Sequence, residues 1–219
     1  MTGEKRTRPL DSGGEMGGRK HGDFLELKGF SEKIEKPSLL LHSCCGPCST
    51  AVIERLAGDY QITIFFYNPC ITEPEEYRKR KETQIAFIKR YNESLPPKEH
   101  IRFKEGPYDT KKFYQLAKGL EAEPEGGKRC LQCFWQRLEK TAETCALAGC
   151  DYFGTTLTVS PHKNYEIISR IGRKLAVRYS VSFVDQDFKK KDGFKRSIEL
   201  SKAYGLYRQN YCGCQYSKR

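Results

Sequence analysis

Seven of the ten cysteines in this 219-residue chain fall into three clusters. Cys44, Cys45 and Cys48 lie within five positions, in the stretch LLLHSCCGPCST. Cys130 and Cys133 form a CxxC pair, and Cys212 and Cys214 a CGC pair near the end. Thiolate sulfur is a soft ligand suited to zinc and to iron–sulfur clusters. A CC pair with a CxxC pair supplies four sulfurs, the complement of a [4Fe–4S] cluster or of tetrahedral zinc. Seven clustered thiols are more than one zinc takes. With a single residue between its members, Cys212–Cys214 closes only a strained disulfide ring, and strained disulfides are oxidising and labile. The other use of spare thiols is a second metal beside the first. Both uses point to redox chemistry. Of the remaining three, Cys145 continues an apolar helical stripe and reads as a core residue. Cys150 has no near partner in the sequence. Cys70, in YNPCI, follows an apolar strand at its carboxyl end, where it can face the same pocket.

The cysteines have to be read with their compartment. The N-terminus shows no apolar leader segment, and no window reaches the apolar length that spans a membrane. A cytoplasmic location with no membrane partner is therefore expected. In that reducing setting, clustered thiols serve metals or catalysis more often than structural disulfides.

The elements that position the thiols follow from periodicity. Residues 1–36 are rich in glycine and charge and read as a disordered tail; residues 37–219 read as one α/β domain. Short apolar runs at 38–43 and 61–68, with a weaker one at 100–106, predict strands, as do 151–157 and 181–188. Helical patterns occupy 49–58, 73–95, 110–120, 130–148, 160–180 and about 192–204, with Ser160 and Pro161 as the expected start of the fifth. Alternation of strand and helix implies βαβ units and a mostly parallel sheet. In such sheets ligands gather outside the carboxyl ends of the strands, at a topological switch point. The segment after the first strand holds three thiols and one glycine there, a composition for soft metal rather than for nucleotide phosphate.

With these residues in view, the chain resembles the epoxyqueuosine reductase family of the QueH type. The likeness rests on HSCCGPCS, YNPCI, GKRCLQCFWQRLEKTA, DYFGTTLTVSPHK and YRQNYCGCQYS, in that order over about residues 38–217. It implies a Rossmann-like domain of the adenine-nucleotide α-hydrolase (HUP) type. It implies two-electron reductive removal of the epoxide oxygen of epoxyqueuosine, at the wobble position of tRNA anticodons, with electrons from an external one-electron donor. It further implies that Cys44, Cys45, Cys130 and Cys133 hold a [4Fe–4S] cluster and that Cys212 and Cys214 form a redox-active pair. The family also admits a mononuclear iron beside the cluster, held by one of Cys44/Cys45, one of Cys212/Cys214 and the residue at position 48. Some relatives carry Asp in place of Cys48, and many carry Asn in place of Cys70.

Charge supplies the remaining expectations. Residues 161–219 hold 14 basic and 5 acidic side chains, a net +9 out of the chain's +11. A localised basic region attracts a polyanion such as tRNA. On the 160–180 helix Arg170, Arg173, Lys174 and Arg178 fall opposite the stripe Ile167, Ile168, Ile171 and Leu175, as a candidate phosphate-tracking face or an ordinary solvated one. Tyr207, Arg208 and Tyr211, beside the CGC pair, are candidates to stack on or grip an extruded base. Asp185 is a candidate proton donor for the departing oxygen, or a partner for nearby lysines. His42 and His162 read as hydrogen-bonded structure rather than ligands. Two other readings remain open: a thiol-disulfide reductase of the heterodisulfide type, and a zinc-stabilised RNA-binding module without turnover.

Overall fold

The structure, a computed structural model, describes residues 35–218. Of the tail expected over 1–36, all but the last two residues lie outside the described residues. The strands are β1 (Ser38–His42), β2 (Gln61–Phe66), β3 (Arg102–Glu105), β4 (Tyr152–Thr155) and β5 (Ser182–Phe183). The helices are α1 (Gly46–Leu56), α2 (Pro74–Asn92), α3 (Thr110–Ala117), α4 (Lys128–Leu147), α5 (Tyr165–Tyr179) and α6 (Gly193–Ala203).

The five strands form one sheet in the order β3-β2-β1-β4-β5, and every pair is parallel. This is the parallel α/β arrangement that the alternating pattern implied and the Rossmann-like, HUP-like fold that the resemblance implied. Leu39, Leu40 and Leu41 of β1 are all buried, as befits a central strand covered on both faces. Alternation divides them. Leu40 joins Phe134, Leu138 and Ala142 of α4 and Ile168, Ile171 and Leu175 of α5. Leu39 and Leu41 join Val52, Ile53 and Leu56 of α1 and Phe87 and Ile88 of α2 on the opposite face. Burial of each such side chain stabilises the fold by about 1.5–3 kcal/mol. The edge strand β3, RFKE, carries charge, which discourages pairing with another chain.

Several boundaries differ from the sequence reading. Helix α1 begins at Gly46 rather than Ser49, because Pro47 fits a first helical turn, where its missing N–H costs nothing. Cys45 thereby becomes the N-cap and Cys48 enters the first turn. Helix α5 begins at Tyr165, not near Ser160. Asn164 is the true cap, its side chain accepting from Ile167 N at 3.2 Å, while Ser160 Oγ accepts only a local turn bond from His162 N. The run at 151–157 is strand only to Thr155 and then tightens into a 3-10 turn. The run at 181–188 pairs over two residues before turning away.

That turn is closed tightly. Arg55 of α1 donates to the carbonyls of Phe188 and Lys191, and Gly193 N donates to Lys189 O. A Cβ on Gly193 would lie 1.8 Å from the Phe188 carbonyl oxygen, so a larger residue must move backbone. Gly193→Ala is therefore expected to cost about 1–3 kcal/mol or more. In urea unfolding this appears as a lower midpoint at unchanged slope; an unchanged midpoint would contradict the packing described.

Candidate metal centre

Strand order reverses between β1 and β4, so their carboxyl ends open a crevice at the switch point. The chain leaving β1 is fixed there by polar contacts. Ser43 N donates to Phe65 O, Ser43 Oγ to Gln84 Oε1, and Asn68 Nδ2 to Ser43 O. Gly46 allows α1 to approach α2, since a Cβ there would stand 3.1 Å from the Thr83 carbonyl oxygen. In this held turn the sulfurs of Cys44, Cys45 and Cys48 all lie within 4.8 Å of one another, a group that can hold a metal ion. Hydrogen bonds from Cys44 and then Cys48 pull the Cys45 thiol well below its usual range, and Gln209 Nε2 donates to Cys45 Sγ at 2.9 Å.

Of the other clusters, Cys212 lines the same cavity, while Cys130, Cys133 and Cys214 do not. Cys130 and Cys133 lie in the first turns of α4, where the helix dipole favours thiolate. Cys130 Sγ accepts from Gly126 N at 3.2 Å. Cys133 shares a hydrogen bond with Cys70, which makes Cys70 the more acidic of the two despite burial. Cys212 Sγ accepts from Lys163 Nζ at 3.2 Å, and Lys163 also pairs with Glu125 at 3.0 Å. Burial works against the Lys163 charge, but Cys212 and Glu125 outweigh it and raise its pKa. Cys214 packs in the apolar cluster that holds Cys70 and Cys133. A cavity of about 550 Å³ opens among these groups, lined by Cys44, Cys48, Arg80, Arg137, Lys163 and Cys212 and, at the C-terminal segment, by Arg208 and Tyr211.

Arg80, buried on α2, ties that segment down. It pairs with Glu76 at 2.6 Å and donates to the carbonyls of Cys212 and Tyr211 at 3.0 and 3.2 Å. Glu76 also accepts from Tyr207 Oη at 3.0 Å. Gly213 takes φ 113°, and a Cβ on it would lie 3.0 Å from Arg80 Nη1, so the residue between the two thiols has to be glycine.

Some expected residues stand apart. Asp185 does not line the cavity. Burial raises its pKa, but hydrogen bonds from Arg173, Ser169 and Tyr165 prevail and hold it below the usual carboxylate range, which suits a structural anchor and not a proton donor. The basic face of α5 is also drawn away from the site. Arg173 pairs with Asp185 and Arg178 with Glu139, while Arg170 and Lys174 are exposed with no carboxylate partner among the described residues. The end of α5, at Ala176 and Val177, meets the start of β4 at Asp151 and Tyr152, the edge of the sheet opposite the cavity. His42 is buried with both ring nitrogens engaged. Nε2 donates to Tyr67 O, so Nδ1 accepts from Thr155 Oγ1, and burial lowers its pKa to about 4. His162 lines the cavity and is exposed. Cys145 donates to the carbonyls of Cys150 and Tyr152 within the core.

Three residues at the site have roles that sequence pattern did not single out: Arg137, Arg80 and Lys163. Lys163 and Arg137 had a signal, since they lie within the SPHK and GKRCLQCFWQRLEKTA stretches. Arg80 stands in a helix rich in basic residues and carried none.

A parallel Rossmann-like sheet with a cysteine group at its switch point defines a class of α/β domain in which that group can hold a metal ion. Comparison with known proteins narrows the class. The chain matches the family described as epoxyqueuosine reductase QueH over residues 39–219. It is 38% identical over 192 residues to the epoxyqueuosine reductase QueH of Streptococcus pyogenes serotype M1, covering 88% of this chain and 74% of that protein. It is 42% identical over 185 residues to that of Staphylococcus epidermidis, covering 84% and 77%. For the Thermotoga maritima protein the identity is 34% over 183 residues, covering 82% and 90%. The chain belongs to the epoxyqueuosine reductase QueH family and is an oxidoreductase. Among the described residues no helix is long and apolar enough to cross a membrane.

Arg80→Met removes one member of a buried ion pair and leaves Glu76 and two carbonyls without their donor. A loss of about 3–5 kcal/mol is expected. Limited proteolysis is expected to cut first between residues 204 and 218; cleavage no faster than in the parent protein would contradict the anchoring role.

Proposed function

We propose that this chain is a cytoplasmic iron–sulfur enzyme that converts epoxyqueuosine to queuosine in tRNA. Two electrons and two protons remove the epoxide oxygen as water and leave an alkene. The electrons come from an external one-electron donor. The observation that carries this reading is the close group of Cys44, Cys45 and Cys48 beside a cavity that Cys44 and Cys48 line together with Cys212 and the buried guanidinium of Arg137. The donor set fits an iron–sulfur centre: the sulfurs are soft, mostly buried, and accompanied by a cationic side chain, Arg137, whose Nη2 has no hydrogen-bond partner.

In this reading Cys44, Cys45, Cys130 and Cys133 hold a [4Fe–4S] cluster. Cys212 and Cys214 serve as a redox-active pair or, with Cys48, as ligands of an additional mononuclear iron. When bound, such a centre supplies electrons singly, and the thiol pair or second iron completes the two that the reaction needs. The chain's own groups do the rest. Arg80 and Gly213 fix the backbone that carries Cys212. Lys163 presents a charged N–H donor inside the cavity, beside Cys212. Tyr211 and Arg208 border the same space, placed to stack on and grip an extruded nucleotide. Arg170 and Lys174 remain available to tRNA phosphates; Arg173 and Arg178 reach them only in exchange for their carboxylates.

Anaerobically prepared protein is expected to contain iron and sulfide in near-equal amounts, which a zinc module would lack, and to form the alkene nucleoside from epoxide-bearing tRNA, which a disulfide reductase would not. Cys130→Ala is expected to lose the cluster absorbance. Cys214→Ala is expected to keep most of it and lose turnover; full activity in that variant would reject its redox role. Binding to tRNA is expected to weaken as salt rises, with log K falling linearly in log salt. Affinity indifferent to salt would contradict the basic contact surface.

A further inference from the structure

Arg137 projects from α4 one turn after Cys133 and is 1% exposed. Its Nε donates to Cys133 O at 3.2 Å, Nη2 is buried without a partner, and among the described residues no carboxylate pairs with it. The side chain borders the cavity beside Cys44 and Cys212. A guanidinium does not lose its proton in proteins, so its burial has to be compensated by local negative charge. The Phe134 ring lies 5.6 Å from its guanidinium carbon, and across the cavity stand the sulfurs of Cys44 and Cys212, which become anionic when they bind a metal.

We propose that Arg137 is a positioning residue that acts as the fixed counter-charge of the iron–sulfur centre and raises its reduction potential. This inference rests on the cluster reading above. Reduction adds one negative charge to a centre already anionic through its thiolates. A fixed cation in a poorly screened interior favours the more negative state, so the reduced form gains more than the oxidised form. The free Nη2 N–H adds a donor for sulfur, acting in the same direction. Arg80 also lines the cavity, but its charge is shared with Glu76 and two carbonyls, whereas Arg137 has no carboxylate among the described residues.

The test compares the anaerobic parent protein with Arg137→Met and Arg137→Lys. Iron and sulfide are assayed, and the cluster is titrated potentiometrically, followed by its electron paramagnetic resonance signal. At a fixed applied potential, Arg137→Met is expected to show a reduced-to-oxidised ratio at least about tenfold lower than the parent, about 59 mV for a one-electron couple. Arg137→Lys is expected to recover most of that shift. If the Met variant holds no iron while the Lys variant holds it near the parental potential, the same role is supported. A loaded Met variant with the parental potential overturns the proposal, as does a Lys variant as shifted or as empty as the Met variant. Absence of iron and sulfide in the parent itself overturns the cluster reading and the Arg137 role with it; that result is read on the parent alone, separately from the variants.

Discussion

Arg137 carries a full positive charge into a space walled by sulfur, and the rest of the site is arranged around that fact. Among the described residues three arginines are buried, Arg80, Arg129 and Arg137, and their surroundings differ. Arg129 donates to the carbonyls of Leu120, Glu121 and Glu123. Arg80 meets a carboxylate and two carbonyls, so its burial is compensated by oxygen within the fold. Arg137 donates to one carbonyl, stands by the Phe134 ring and lines the cavity with Cys44, Cys48 and Cys212. Removing a charge from water costs several kcal/mol even after relaxation. The Cys133 carbonyl and the Phe134 ring offset part of it; thiolate sulfur, the form that binds iron or zinc, is the further anionic group the cavity can supply.

Topology explains how residues so distant in sequence share one space. In a parallel sheet every helix N-terminus and every strand C-terminus lies on the same edge. Helix α1 brings Cys45 and Cys48 to that edge, α4 brings Cys130 and Cys133, and the chain after β2 brings Cys70. The C-terminal segment has no strand or helix to place it. Its position depends on Arg80, on the Thr72 N bond to Gly213 O, and on the left-handed backbone of Gly213. The cavity thus has two rigid walls set by the sheet and one wall held by a few polar contacts.

The fold and the cysteine groups were legible in the sequence because period-2 and period-3.6 patterns are local and cysteine clusters are rare. The all-parallel sheet followed from strand–helix alternation. What escaped reading depends on contacts distant in sequence. Nothing local distinguishes Arg137 and Arg129, both enclosed, from Lys140 on the same helix; only the turn of α4 against the sheet decides which basic residues are enclosed. Cys70 sat at the right strand end, but its packing with Cys133 in one cluster depends on where α4 lies on the sheet. The α5 basic stripe was correctly seen as a face, yet the sequence does not say which end of that helix meets the cavity. Helix direction in a parallel sheet does, and it sends Arg178 to the far edge. Asp185 looked available because its partners Arg173, Ser169 and Tyr165 come from the helix before it. The late start of α5 reflects a competition between two caps, in which Asn164 prevails over Ser160.

The central claim is that thiols from residues 44–48 and 130–133 form one ligand set. The most direct measurement is an anomalous-scattering map at the iron edge from crystals grown without oxygen. The account predicts iron peaks inside the switch-point cavity, within bonding distance of sulfurs from both segments. Metal bound by one segment alone, or peaks at the zinc edge and none at the iron edge, would contradict it.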